Sequence, residues 1–146
     1  MTEIAFHFNA ADTLAYGCRL LRKIYLSGAK VAVTAEPTLL EKLDALLWTF
    51  SAADFVPHCM ATAAPATLVL TPVVLAASPA GCSQHSILVN LGHAIPEGFE
   101  GYERLIEVVS LLPEDAQAGR IRWKHYSARG YTLKRHDLAN PVASAS

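Results

Sequence analysis

Six of the chain's twelve Lys and Arg residues fall within sixteen consecutive positions near its end: Arg120, Arg122, Lys124, Arg129, Lys134 and Arg135. No Asp or Glu stands between Ala116 and His136. On a helix, Arg120, Trp123 and Lys124 occupy positions i, i+3 and i+4 and share one face. A guanidinium and an ammonium beside an indole suit a ligand that joins a carboxylate to an aromatic or apolar side chain. The same residues also suit a solvated basic face around a half-buried tryptophan. Spacing alone leaves both readings open.

Other chemistry is weakly signalled or missing. Cys82 and His85 are separated by two residues and could form half of a zinc site, with His58 and Cys59 as the other half. A structural zinc site pairs two tight spacings, whereas adjacent His58 and Cys59 would point apart on a strand. Buried thiols and incidental histidines are the expected reading, with no metal and no cofactor. The turn after the first apolar run is Phe8-Asn9-Ala10-Ala11-Asp12, without the glycines that let backbone amides reach a phosphate. Ser27-Gly28-Ala29-Lys30 follows a helix rather than a strand and makes no phosphate loop. A G-x-S-x-G nucleophile turn is also missing.

The elements that must position these residues are legible from periodicity. Residues 3–8 alternate and predict a strand; Asp12 can cap a helix over Thr13–Leu26, which Ser27-Gly28 ends. Residues 30–35 predict a second strand. Thr38-Leu-Leu-Glu41 then matches a capping box, opening a helix with Leu39, Leu40, Leu43, Leu46 and Leu47 on its buried side. Strand–helix alternation with short connections predicts an α/β fold: three layers, doubly wound, a mainly parallel sheet with helices on both faces.

From Phe55 to Pro96 there is no Asp, Glu, Lys or Arg. Central parallel strands covered on both faces need no charge, and an exposed partner-binding surface is the other explanation. Within this stretch, residues 67–71 and 86–91 read as short buried strands, and residues 72–83 as a loop. Residues 104–110 predict another strand. Pro113-Glu-Asp then opens a helix to about Ala128, with Gly130 as its stop. One domain over residues 1–136 and a disordered tail over 137–146 complete the expected organisation.

With 146 residues, 52% of them hydrophobic, the chain is long enough to bury a core. A formal net charge of −1 gives it no overall reason to coat DNA or an acidic membrane. Three widely spaced cysteines do not describe a disulfide framework. The start of the chain lacks a signal-peptide pattern, and Pro65, Pro72 and Pro79 interrupt its most apolar stretch. A cytoplasmic location is the expectation.

The run Arg120-Ile-Arg-Trp-Lys124-His-Tyr126, followed by Gly130-Tyr131, resembles a pattern of the chi subunit family of bacterial DNA polymerase III. Val108-Val-Ser-Leu-Leu112-Pro113, Leu43-Asp44-x-x-Leu47-Trp48 and Phe55-Val56-Pro57-His58 resemble further elements of that family, in the same order. Two departures stand out: the segment between Pro113 and Arg120 is shorter, and Trp123 replaces a common tyrosine. The resemblance implies an adaptor with no active site of its own. It would bridge the psi subunit, and through it the clamp loader, to the acidic C-terminal tail of single-stranded-DNA-binding protein, reaching DNA only through partners. It also implies that Leu112, Arg120, Trp123 and Lys124 hold the tail, and that Trp48, Phe55, Val56 and Pro57 meet psi. A small nucleotide-binding or hydrolytic α/β enzyme is the alternative.

Overall fold

The apolar runs of the chain become strands and its capped segments become helices, in the order β1 (Glu3–Ala10), α1 (Thr13–Leu26), β2 (Val31–Thr34), α2 (Pro37–Thr49), β3 (His58–Met60), α3 (Pro65–Leu70), β4 (Val73–Leu75), β5 (Ile87–Asn90), β6 (Arg104–Ser110), α4 (Pro113–Ala128) and β7 (Leu133–Asp137). A 3-10 turn, Phe99–Gly101, precedes β6. The computed structural model describes residues 2–49, 56–80, 82 and 86–139. Its seven strands form one sheet, ordered β3-β4-β2-β5-β6-β1-β7, and every pairing is parallel.

Because side chains alternate along a strand, the sheet has two apolar faces. Val31, Val33, Val73, Leu75, Val89 and Ile106 pack with Cys18 and Leu21 of α1 and Leu40, Leu43 and Leu47 of α2. On the other face, Ile4, Phe6, Leu88, Leu105 and Val109 meet Tyr126 of α4 and Phe99 of the 3-10 turn. This is the expected three-layer α/β arrangement, with central strands so fully covered that Val31, Val33, Val73 and Leu75 have no exposure.

The structure corrects the sequence reading in several places. Residues 67–71 were expected as a strand but belong mostly to α3. Pro65 presets the helical φ at the first turn, and a short apolar run does not by itself distinguish strand from helix. The expected loop over residues 72–83 contains β4, inserted between β2 and β3, where a Val-Val-Leu run is wholly buried. The capping box at Thr38 gives way to an earlier start: Leu39 and Leu40 amides donate to the Glu36 carbonyl, and Pro37 occupies the first turn. Strand β7 went unforeseen, because Leu-Lys-Arg-His-Asp carries too little apolar surface to read as a strand. It reaches Asp137, and Leu138 N donates to Phe8 O (2.9 Å), so ordered pairing enters the segment expected as tail. Residues 140–146 lie outside the described residues.

Candidate functional site

Two features hold α4 against the sheet in one rotation. Gly119 faces β6 so closely that an added Cβ would stand 3.0 Å from Val109 Cγ2. Glu107, with no exposure, is the lone acid inside β6 and needs partners. Arg122 Nε donates to its Oε1 (3.0 Å), Asn90 Nδ2 to the same oxygen (2.8 Å), and the Tyr126 hydroxyl to Oε2 (2.5 Å). Arg122 Nη1 also donates to the His93 carbonyl at 2.8 Å. Burial pushes the Glu107 carboxyl up, and Arg122, Tyr126 and Asn90 pull against that shift. Arg122, counted in sequence as part of a basic run, is therefore an internal residue, 2% exposed.

Helical geometry does the rest. With Arg122 and Tyr126 inside, positions two residues away emerge on the outer side, and Arg120 and Lys124 are exposed. Trp123 lies between, half-buried, its ring edge-on to Phe6 with centroids 5.1 Å apart. These three residues line one cleft of about 540 Å³. Phe6, Phe8 and Val109 supply its apolar surface, and Asn9 and Arg135 contribute from the β1–β7 side. The Arg135 guanidinium lies over the Phe8 ring, its Cζ 5.0 Å from the ring centroid.

Among the described residues, the lining of this cleft includes no Asp, Glu, His or Cys. Its Ser110 hydroxyl donates to Asp115, which also pairs with His93. Partial burial pushes the Asp115 carboxyl up, but the bonds from Ser110 and His93 outweigh it and hold that carboxyl below its ordinary value. The cleft thus offers an apolar slot between cations, which is recognition chemistry for an apolar group attached to carboxylates.

Leu112 is not in it. It is 56% exposed at the N-terminal end of α4 and lines a separate depression with Asp12, Leu39 and His93. The three-residue spacing that joins Arg120 to Trp123 does not extend back across Pro113, where the chain turns from strand into helix. Sequence reading missed Phe6, Phe8 and Arg135, since nothing local links two strands at opposite ends of the chain. The solitary Glu107 in an apolar strand was a usable signal for its buried partner.

The second group of candidates lies toward the other end of the sheet. Trp48, 61% exposed, lies in the last turn of α2, edge-on to His58 with ring centroids 5.1 Å apart. His58 Nδ1 donates to the Val56 carbonyl (2.7 Å), and its Nε2 stands 3.1 Å from Asp44 Oδ1. Pro57 is half-buried, whereas Val56 is 2% exposed and belongs to the core beneath α2. Phe55 and His85 lie outside the described residues. Among the described residues no helix is long and apolar enough to cross a membrane.

The family profile described as DNA polymerase III chi subunit, HolC, matches residues 1–134. The chain belongs to that family. It is also similar to the DNA polymerase III subunit chi of Pseudomonas aeruginosa, at 29% identity over 143 residues, covering 94% of this chain and 98% of that one. The match thus runs through Arg120, Trp123 and Lys124 of α4 and through the Trp48 region, rather than over a single motif, and it ends one residue before Arg135.

Proposed function

We propose that this protein is a non-catalytic, cytoplasmic adaptor of bacterial DNA polymerase III, joining the clamp loader to single-stranded-DNA-binding protein during replication. In this reading the α4 cleft takes the acidic C-terminal tail of the single-stranded-DNA-binding protein. Arg120 binds the terminal carboxylate through its planar fork, the Trp123 and Phe6 rings flank the terminal apolar side chain, and Lys124 meets the aspartates before it. Leu112 stands outside the cleft and touches, at most, a longer stretch of the tail. Trp48 and Pro57, with Phe55, form the surface for psi, and Val56 supports that surface from beneath.

The observation that carries the reading is the cleft itself, an apolar slot whose rim cations, among the described residues, form no ion pair and whose lining, among the same residues, holds no acid, histidine or thiol. Such a lining suits binding rather than turnover. Titration with a synthetic acidic peptide ending in an aromatic residue tests it, with Trp123 fluorescence as reporter in a Trp48→Phe background. Wild-type binding near micromolar, about −8 kcal/mol, is expected. Arg120→Ala should weaken binding by at least ~30-fold, as expected for a charge desolvated by its ligand. Lys124→Ala should cost less and flatten the salt dependence, since exposed charges are screened within about 8–10 Å. Unchanged affinity in a folded Arg120→Ala variant would remove the site.

A further inference from the structure

The cations of the cleft come from two different elements. Arg120 and Lys124 project from α4, but Arg135 comes from β7, the edge strand, where it pairs in register with Phe6 of β1. Its exposed guanidinium lies over the Phe8 ring and, among the described residues, is bonded to no carboxylate. A ring face holds a guanidinium through its quadrupole and offers no carboxylate to consume the N–H donors.

The strand that carries Arg135 is held in place beside the cleft. At a bulge in β1, Asn9 adopts φ +64°, and its Nδ2 donates to Asp137 Oδ1 at 2.9 Å. Leu138 N donates to Phe8 O at 2.9 Å. Two residues before Asp137, the side chain of Arg135 lies on the Phe8 ring and lines the cleft. A ligand whose terminal carboxylate is held by Arg120 would therefore meet a second, separately mounted guanidinium.

We infer that Arg135 is a second carboxylate-reading residue of the cleft, engaging an acidic side chain upstream of the ligand's last residue. This rests on the cleft being the site for an acidic C-terminal tail, and it assigns the preference for acidic over neutral upstream residues to β7 as well as α4. One charged rim contact of this kind is worth about fivefold in affinity.

The test uses the full chain, wild type, Arg135→Ala, Arg135→Lys and Arg120→Ala, each checked for folding by thermal melting. Two fluorescein-labelled synthetic peptides serve as probes. One carries aspartates before a C-terminal phenylalanine, and the other carries asparagines in their place. Arg135→Ala should bind the aspartate peptide about fivefold more weakly, with a shallower salt dependence, and the asparagine peptide as wild type does. Arg135→Lys should fall between, keeping the charge but losing the planar fork. Arg120→Ala should weaken both peptides. If Arg135→Ala binds both like wild type, or weakens both equally, while Arg120→Ala is impaired, the inference fails and the cleft reading stands. If wild type binds neither peptide, or Arg120→Ala is indistinguishable from it, the cleft reading fails and this inference falls with it.

Discussion

His7 shows how far a single residue can be moved from its ordinary behaviour by its neighbours. It lies on β1 facing α1, where Nδ1 and the Tyr16 hydroxyl share a hydrogen bond of 2.5 Å and the His136 ring centroid is 4.6 Å from its own. Burial, then the positive charges of His136, Arg104 and Lys23, lower its pKa from 6.5 to about 4. The folded chain therefore resists a proton that the unfolded chain accepts. Its contribution to stability is fully present above about pH 6.5 and is lost as the pH falls toward 4. Discounted for partial exposure, the loss is on the order of 2 kcal/mol. Urea unfolding of wild type and His7→Asn at a series of pH values measures it, and the variant should lose less stability on acidification. Parallel curves would show that His7 is not the titrating group.

At the scale of an element, the question is what makes α4 present Arg120, Trp123 and Lys124 outward. The Glu107–Arg122–Tyr126 network and the Gly119–Val109 approach answer it jointly, one through bonds and the other through space. Arg122→Ala should destabilise the fold by about 3–5 kcal/mol, because Glu107 is left buried without its cation. The double change Glu107→Leu with Arg122→Met should recover part of that stability, since apolar replacement of a buried pair is often neutral, while the Tyr126 hydroxyl and the Asn90 amide lose an acceptor. Chemical denaturation distinguishes the two. Equal losses in the single and double variants would mean that packing around Arg122, rather than the pair, holds the helix. Little of this was legible beforehand. The sequence offered Arg122 and Arg120 as equals in one basic run, and only the rotation of α4 separates an internal ion pair from an exposed rim.

At the scale of the whole molecule, strand order decides how the two candidate surfaces relate. The cleft lies at the β1–β7 end of the sheet, and Trp48 stands over His58 of β3, the strand at the opposite end. Two partners bound at these places should not compete, and distant sites without shared contacts act independently. The expected outcome is a ternary complex of this protein, psi and a tail peptide on size-exclusion chromatography, with peptide affinity unchanged by psi. Trp48→Ala should lose psi but keep the peptide, and Arg120→Ala should do the reverse. Displacement of the peptide by psi would contradict that independence. Loss of both partners in the Trp48→Ala variant would mean that Trp48 supports the fold rather than an interface.

Local regularities carried much of this protein on their own. The cap at Asp12, the Ser27-Gly28 stop and the Pro-Glu-Asp start of α4 each act over one or two helical turns, so α1 and α4 were readable with their ends. The mainly parallel α/β class followed from the same alternation. That Arg120, Trp123 and Lys124 share one face also followed, because a helical face is a local property. Three things did not. The nature of α3 and β4 depended on which apolar runs the sheet would accept. The strand character of Leu133–Asp137 depended on the free edge of β1. The walls of the cleft depended on bringing Phe6 and Phe8 beside Arg135, more than a hundred residues later. Those outcomes are set by contacts between segments far apart in the chain, and such contacts exist only once the sheet has closed over its core.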